Sequence, residues 1–305
     1  MEIKLFYSKN WTDYELLDTG EGEKLERFGE YIFVRPYEDA VWPKTLPTKD
    51  WNNADGKFWS SKQGAKKGWT FSKKITDKWE MEYKGIKFLA MPTPFRHLGF
   101  FPEQASHWDF IENSLGKASR VRPIKFLNLF GYTGVASLFA LRAGAEVTHL
   151  DASKQSLDYA KENQKLNTEL AHAPMRVICD DAVKFLEREE KRGSKYDAVI
   201  MDPPKFGRGP KGEVWKIEEM LPKLLLQVKK VLSDQPIFVI ITSYATNSSS
   251  LSLGYALLDI MKSFGGETEQ GPPRLGLVEA GELCVLEKSN NRTIPLANTA
   301  VWQSE

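Results

Sequence analysis

The stretch Ile124-Lys-Phe-Leu-Asn-Leu-Phe-Gly-Tyr-Thr-Gly134-Val-Ala-Ser-Leu-Phe-Ala-Leu-Arg-Ala-Gly144 decides the fold. Its opening, Ile124–Phe130, is a short apolar run closed by a glycine, the pattern of a buried strand. Residues 134 to 143 have helical composition, and Gly144 suits the position just past a helix end. Between them, Gly131 and Gly134 allow a tight turn with close backbone approach to a ligand, next to a helix N-terminus. Strand, glycine turn and helix in immediate succession predict one unit of a parallel α/β sheet.

Working outward, the alternation continues. Glu146–Asp151 reads as a second strand, and Ser153 can cap a helix that runs to about Leu166. Met175–Cys179 and Tyr196–Asp202 are strands three and four, separated by a charged helix over 182–192. A helix at about 216–232 leads to the most apolar strand, Pro236–Thr242, and a helix near 249–264 follows. A final hairpin-like pair is expected around Arg274–Val278 and Glu282–Leu286. Upstream of residue 95 the texture differs. Six of the nine tryptophans lie in the first 79 residues, and short extended pieces such as Tyr31–Arg35 and Ile86–Ala90 are broken by Gly, Pro and Asn-Asp clusters. That predicts two domains: a β-rich, aromatic-rich one over 1–95 and an α/β one over 96–305.

Composition narrows the function. The 42 basic residues against 41 acidic ones exclude a part that works by bulk charge. Two cysteines, Cys179 and Cys284, supply neither a disulfide framework nor a zinc site, and both read as small buried hydrophobes within strands. With no apolar run long enough to span a membrane and no apolar leader in the first ten residues, a cytoplasmic protein without membrane or metal partners is expected.

In a doubly wound sheet, ligands bind outside the carboxyl ends of the strands, where strand order reverses. Four successive strand ends carry informative residues. Phe130-Gly-Tyr-Thr-Gly134 follows strand one. Asp151, suited to accept hydrogen bonds from a ribose diol, ends strand two. Asp180 and Asp181, able to accept from the exocyclic amine of a purine, end strand three. Asp202-Pro-Pro-Lys-Phe206 follows strand four, its two prolines fixing an extended backbone with free carbonyls. Each feature alone also reads as a turn or a helix cap; their order at four strand ends favours a nucleoside ligand. A dinucleotide fold is rejected, because the turn lacks the third spaced glycine of Gly-x-Gly-x-x-Gly and leaves Asp-Pro-Pro unexplained.

Together, Asn128–Gly134, Leu150–Ser153, Asp180–Ala182 and Met201–Phe206 resemble the class I S-adenosylmethionine-dependent methyltransferases over roughly residues 96 to 290. The closer resemblance is to the branch that includes the bacterial 23S ribosomal RNA cytosine-C5 methyltransferases. It implies a Rossmann-like methyltransferase fold, a seven-stranded, mostly parallel sheet with helices on both faces, with S-adenosyl-L-methionine as cofactor. The cofactor-binding set it implies is Phe101, Gln104, Phe130, Gly131, Tyr132, Thr133, Gly134, Asp151, Ala152, Asp181, Ala182 and Asp202. Within that set the Gly131–Gly134 turn would hold the methionine part, Asp151 the ribose and Asp181 the adenine. The Gly99–Gln104 segment would close over the cofactor.

One departure bears on the reaction. Those cytosine-C5 enzymes carry a Ser-Cys-Ser-Gly stretch after strand five, whose cysteine attacks the ring. Here the stretch is Ile241-Thr-Ser-Tyr-Ala-Thr246, with no thiol. Direct transfer to nitrogen or oxygen is therefore expected, with Asp202, Pro203, Pro204 and Phe206 as the catalytic set: hydrogen-bond acceptors for an amino group and a ring to stack on a planar target. Residues 57–88 hold nine lysines against Asp77, Glu80 and Glu82, interleaved with aromatics. This reads either as a surface for RNA, ribosomal RNA in particular, or as a β-domain with an aromatic core and a solvated lysine face. The Gly207–Gly212 loop reads as glycine-rich and mobile, and Lys205, Arg208, Lys211 and Lys216 extend positive charge along it. A protein or small-molecule substrate, or a cofactor-binding RNA-associated module without turnover, remains as the alternative.

Overall fold

The structure, a computed structural model, describes residues 1–60, 68–118, 122–244, 248–262 and 276–304. The chain divides into two compact units: residues 1–6, 106–283 and 296–305 form one, and residues 7–105 with 284–295 form the other. Residues 96–105, expected with the α/β part, thus fall in the β-rich unit.

Strand β1 (Ile3–Phe6) belongs to the larger unit. The β-rich unit follows with β2 (Tyr14–Gly20), β3 (Glu23–Phe28), β4 (Tyr31–Pro36), the short helix α1 (Thr48–Asn52), β5 (Gly56–Trp59) and β6 (Gly68–Phe71). The five strands form one sheet in the order β2-β3-β4-β5-β6, and β7 (Trp79–Tyr83) and β8 (Ile86–Ala90) form a separate hairpin. Alternation along the strands turns one set of side chains inward, so Tyr14, Phe28, Phe33, Tyr83 and Phe88 are buried. Phe100 packs on Phe28 and Phe88 with ring centroids 5.6 and 4.8 Å away.

The larger unit resumes with α2 (Ala105–Lys117), β9 (Lys125–Leu129), α3 (Val135–Arg142), β10 (Glu146–Asp151), α4 (Lys154–Leu166), β11 (Met175–Cys179), α5 (Ala182–Lys191) and β12 (Ala198–Met201). A β-hairpin of β13 (Phe206–Arg208) and β14 (Val214–Lys216) comes next. The chain then forms α6 (Ile217–Val231), β15 (Phe238–Ser243), α7 (Ser250–Met261), β16 (Leu277–Leu286) and β17 (Thr293–Gln303). Its sheet has the order β1-β16-β17-β15-β12-β9-β10-β11, with β17 antiparallel to β15 and the central pairs parallel. From β9 the chain steps outward to β10 and β11, then crosses back to β12 on the other side. The β9–β12 boundary is therefore the switch point where a ligand belongs. Leu127, Leu129, Val199 and Met201 are fully buried in the core that also holds Phe185 and Leu186 of α5, Leu224 and Val228 of α6 and Leu257 of α7. On the other face Phe126 meets Phe238, which meets Phe110 of α2, while Trp108 stacks on Phe139 of α3.

Two expectations change. The sheet has eight strands rather than seven, because the first residues add β1 in parallel to β16. The last hairpin is not folded at Gly281: residues 277–286 form one strand, which lies between β1 and β17 in the sheet order. Gly281 is no turn; the Lys4 backbone of β1 occupies the space a side chain would need there. Arg274, placed in that hairpin from sequence, lies outside the described residues.

Candidate active site

Parallel register brings the four strand ends to one edge. Leu129 lies opposite Leu150 on one side and Met201 on the other, and Asp151 lies opposite Cys179. The residues that follow, the 130–134 turn, Asp151–Ser153, Asp180–Ala182 and Asp202–Phe206, therefore emerge side by side. The Asp202 N–H donates to the Leu129 carbonyl at 3.3 Å, which sets the Asp-Pro-Pro turn against Phe130.

The 130–134 turn is tightly specified. Phe130 (φ 58°), Tyr132 (φ 50°) and Gly134 (φ 84°) all adopt the left-handed conformation, which costs a side-chain-bearing residue about 1 kcal/mol or more. Hydrogen bonds hold it there. The Gly131 N–H donates to the Leu150 carbonyl (2.9 Å), and the Gly134 N–H to the Gly131 carbonyl (3.0 Å). The Tyr132 N–H donates to Asp151 Oδ2 (2.9 Å), and the Thr133 carbonyl accepts from Nδ2 of buried Asn163 on α4 (2.8 Å). Gly131 is needed for space: a Cβ there would stand 2.5 Å from His149 Nδ1 and closer still to Cε1. Gly134 begins α3 without a side-chain cap and no acid occupies the first helical turn. That helix end thus keeps its N–H groups and partial positive charge for an anionic group such as an amino-acid carboxylate. Burial, with Asp151 beside it, pushes the Tyr132 phenol up to about 12.

Asp151 Oδ1 accepts the Ser153 N–H at 2.8 Å. Burial raises its pKa above the usual carboxylate value despite the backbone N–H groups that oppose the shift. Ala152 follows it, and the Ala152 carbonyl faces the Cys179 thiol at 3.6 Å. Asp181 caps α5, its Oδ1 accepting the Lys184 N–H at 2.9 Å, and Ala182 is buried as the first residue of that helix. Asp180 accepts the Asp181 N–H and is ion-paired with Arg188.

The Asp-Pro-Pro turn has a partner that sequence reading missed. Trp215 is buried, its Nε1–H donates to the Pro204 carbonyl (2.6 Å), and its ring lies 5.0 Å from that of Phe130. The Pro204 carbonyl is thereby hydrogen-bonded within the chain. The loop read as glycine-rich belongs to the β13–β14 hairpin, in which Gly207 pairs opposite buried Trp215. Its other face displays Phe206 (56% exposed), Arg208, Val214 and Lys216. At the end of β15 stands Tyr244; Ala245 and Thr246 lie outside the described residues.

Phe101 packs against His97 (4.9 Å) within the β-rich unit, and Gln104 ends a short 3-10 turn of that unit's chain. Cys179 is exposed, not buried as expected, because β11 is an edge strand; Cys284 is buried. In the 57–88 stretch, Phe58, Tyr83 and Phe88 are core, and the Trp69 indole is tied to the Thr93 and Phe95 carbonyls at 2.9 and 3.0 Å. Lys57 and Lys73 pair with Glu23 and Asp55. Lys62, Lys66 and Lys67 lie outside the described residues. Alternation thus buries Phe58, Tyr83 and Phe88, whereas Trp59 shares a face with Lys57, whose Nζ lies 4.3 Å from its ring, and Phe71 is exposed, so the stretch combines an aromatic core with a face that carries both lysines and aromatics.

Comparison with known proteins agrees with this geometry. Residues 108–254 match the family described as Conserved hypothetical protein 95. The ribosomal RNA large subunit methyltransferase I of Aeromonas salmonicida is 34% identical over 127 residues, 41% of this chain and 30% of that protein. The chain therefore spans under a third of that relative's length. SMU.776, a methyltransferase solved with S-adenosylhomocysteine, shares the fold at 17% identity, with TM-score 0.69 over 96% of this chain and 76% of that one. The S-adenosylmethionine-dependent methyltransferase of Agrobacterium tumefaciens is 40% identical, with TM-score 0.89 over 99% of this chain and 94% of that one. With that likeness over nearly both full lengths, the chain belongs to the S-adenosylmethionine-dependent methyltransferases.

Proposed function

We propose that this chain methylates a base of ribosomal RNA by direct transfer, without a covalent enzyme–RNA intermediate. The observation that carries the reading is the placement of exposed Phe206 and the Asp202-Pro203 turn beside the glycine turn at the switch point. The uncapped N-terminus of α3 and the Gly131–Gly134 backbone would hold the methionine part, Asp151 and Ala152 the ribose, and Asp181 and Ala182 the adenine. When bound, S-adenosylmethionine supplies a methyl group already activated on a sulfonium. The protein then has to orient an acceptor lone pair in line with that methyl group and exclude water. Asp202 and the Pro203 carbonyl would accept hydrogen bonds from the acceptor group, with the Asp202 carboxylate as the nearest base for its proton. Phe206 would stack on a base taken out of its helix. Arg208, Lys211 and Lys216 supply positive charge on the hairpin for neighbouring phosphates.

The ribosomal RNA substrate rests on the names of partial relatives together with this charged hairpin and its exposed Phe206. Supplying methyl-labelled cofactor and protein to RNA, protein and metabolite fractions of a strain lacking the gene tests it. Label in large ribosomal RNA is the expected result; label confined to protein or metabolites would refute it.

A further inference from the structure

Beneath the cofactor turn runs a chain of buried polar groups that none of the site assignments uses. Asn128 on β9 is 4% exposed, and Ser137 on α3 and His149 on β10 are fully buried. Asn128 Nδ2 donates to Ser137 Oγ at 3.0 Å, Ser137 Oγ lies 3.0 Å from His149 Nδ1, and His149 Nε2 lies 3.2 Å from the Tyr132 carbonyl. The proton positions follow from the partners. A carbonyl only accepts, so Nε2 carries the hydrogen. The Ser137 hydroxyl, already accepting from Asn128, gives its own proton to Nδ1, which therefore carries a lone pair. The ring is neutral and in one tautomer, and burial, opposed by the Tyr132 carbonyl, holds its pKa down to about 4.

The chain ends where the turn is most strained. Tyr132 has φ 50°, and both of its peptide groups are gripped from β10: its carbonyl by His149, its N–H by Asp151 Oδ2. Two residues apart on one strand, His149 and Asp151 point to the same face. The same imidazole fills the space that a Cβ on Gly131 would need. The histidine thus fixes the turn by a hydrogen bond on one side and by packing on the other.

We propose that His149 is a positioning residue for cofactor binding: as the Nε2–H tautomer, fixed by Ser137 and Asn128, it sets the backbone of the turn and the Asp151 carboxylate. The proposal rests on the reading that this turn and Asp151 hold the cofactor. His149 itself is too buried to touch a ligand, so its effect passes through Tyr132. Removing the relay should weaken affinity while sparing the chemical step.

Three measurements on the full chain test this. Calorimetry of S-adenosylhomocysteine binding to Ser137→Ala should show affinity about tenfold weaker. The KM for S-adenosylmethionine should rise likewise, while kcat at saturating cofactor stays within twofold. Nitrogen-15 spectra of the unsubstituted protein at pH 7 should show His149 protonated at Nε2 and not at Nδ1, a readout independent of how any variant folds. An Nδ1–H ring or an imidazolium at that pH, or a folded Ser137→Ala protein with parental affinity, would overturn the proposal. Asp151→Ala separates the two levels. If it loses binding while Ser137→Ala does not, the relay alone is wrong. If it binds as the parent does, the cofactor placement fails and takes the relay with it.

Discussion

Replacing Gly131 by alanine adds one methyl group where the structure has no room. The new Cβ would lie 2.5 Å from His149 Nδ1, about 1 Å inside ordinary contact, and the imidazole is enclosed on all sides. It can yield only by leaving Ser137 and the Tyr132 carbonyl. Two hydrogen bonds at about 0.5–1.5 kcal/mol each, with about 1–3 kcal/mol for overpacking, put the total at roughly 2–6 kcal/mol. Because the strain falls on the turn, a large share should appear in cofactor affinity: at least a tenfold weaker Kd for S-adenosylhomocysteine by calorimetry, with a lower melting temperature. Gly144→Ala is the control. Gly144, unlike Gly131, has a positive φ (84°), but a Cβ there meets nothing within 4 Å, so its cost of about 1 kcal/mol should fall on stability alone. A folded Gly131→Ala protein with parental affinity would refute this account of the turn.

Three further outcomes follow from the site. Burial raises the Asp151 pKa, so on acidification the folded protein protonates this group while the unfolded chain still ionises it. That protonation favours the fold on this group's account but removes the acceptor for the ribose. Cofactor affinity measured by calorimetry should therefore start to fall above the usual carboxylate range, and the fall should be absent in Asp151→Asn. Trp215→Phe keeps the ring but removes the donor to the Pro204 carbonyl, a loss of about 1 kcal/mol. In steady-state kinetics kcat should drop about fivefold with cofactor Kd unchanged; a change in Kd alone would contradict the role given to Trp215. Phe206→Ala removes a ring that is 56% exposed, so thermal melts should barely move. RNA binding should weaken by about 1–3 kcal/mol if a base stacks there, and unchanged binding would remove Phe206 from the acceptor site.

The strands and helices of the α/β unit were legible because the central strands are short, mostly apolar runs and several helices begin or end on a recognisable residue. Ser153 caps α4 through the Ser156 N–H, and Gly144 ends α3, as their positions suggested. What failed was decided by neighbours distant in sequence. Ile3–Phe6 is too short and exposed to announce a strand; only pairing with β16 makes it one. Gly281 resembles a turn until the backbone passing over it is known. The glycines of 207–212 gave no sign of the β13–β14 hairpin, in which Gly207 pairs opposite buried Trp215. The site divides in the same way. Apart from Phe101 and Gln104, the residues expected to touch the cofactor stand at strand ends, where local grammar reveals them. The groups that clamp the turn, His149 and Asn163, act on carbonyls 17 and 30 residues away. His149 shows in the sequence only as a polar residue inside an otherwise buried strand, and Asn163 only by falling on the buried face of α4 with Leu157 and Ala160.

The central claim, direct methyl transfer to ribosomal RNA, is tested most directly by the turnover of a protein without cysteine. Cys179 is exposed on an edge strand and Cys284 is buried in β16, so in Cys179→Ala/Cys284→Ala the second change should account for most of any loss of stability. Incorporation of labelled methyl groups into ribosomal RNA from a strain lacking the gene should proceed at the parental rate. A folded double variant that binds S-adenosylhomocysteine as the parent does but transfers no methyl group would contradict direct transfer and restore a thiol nucleophile.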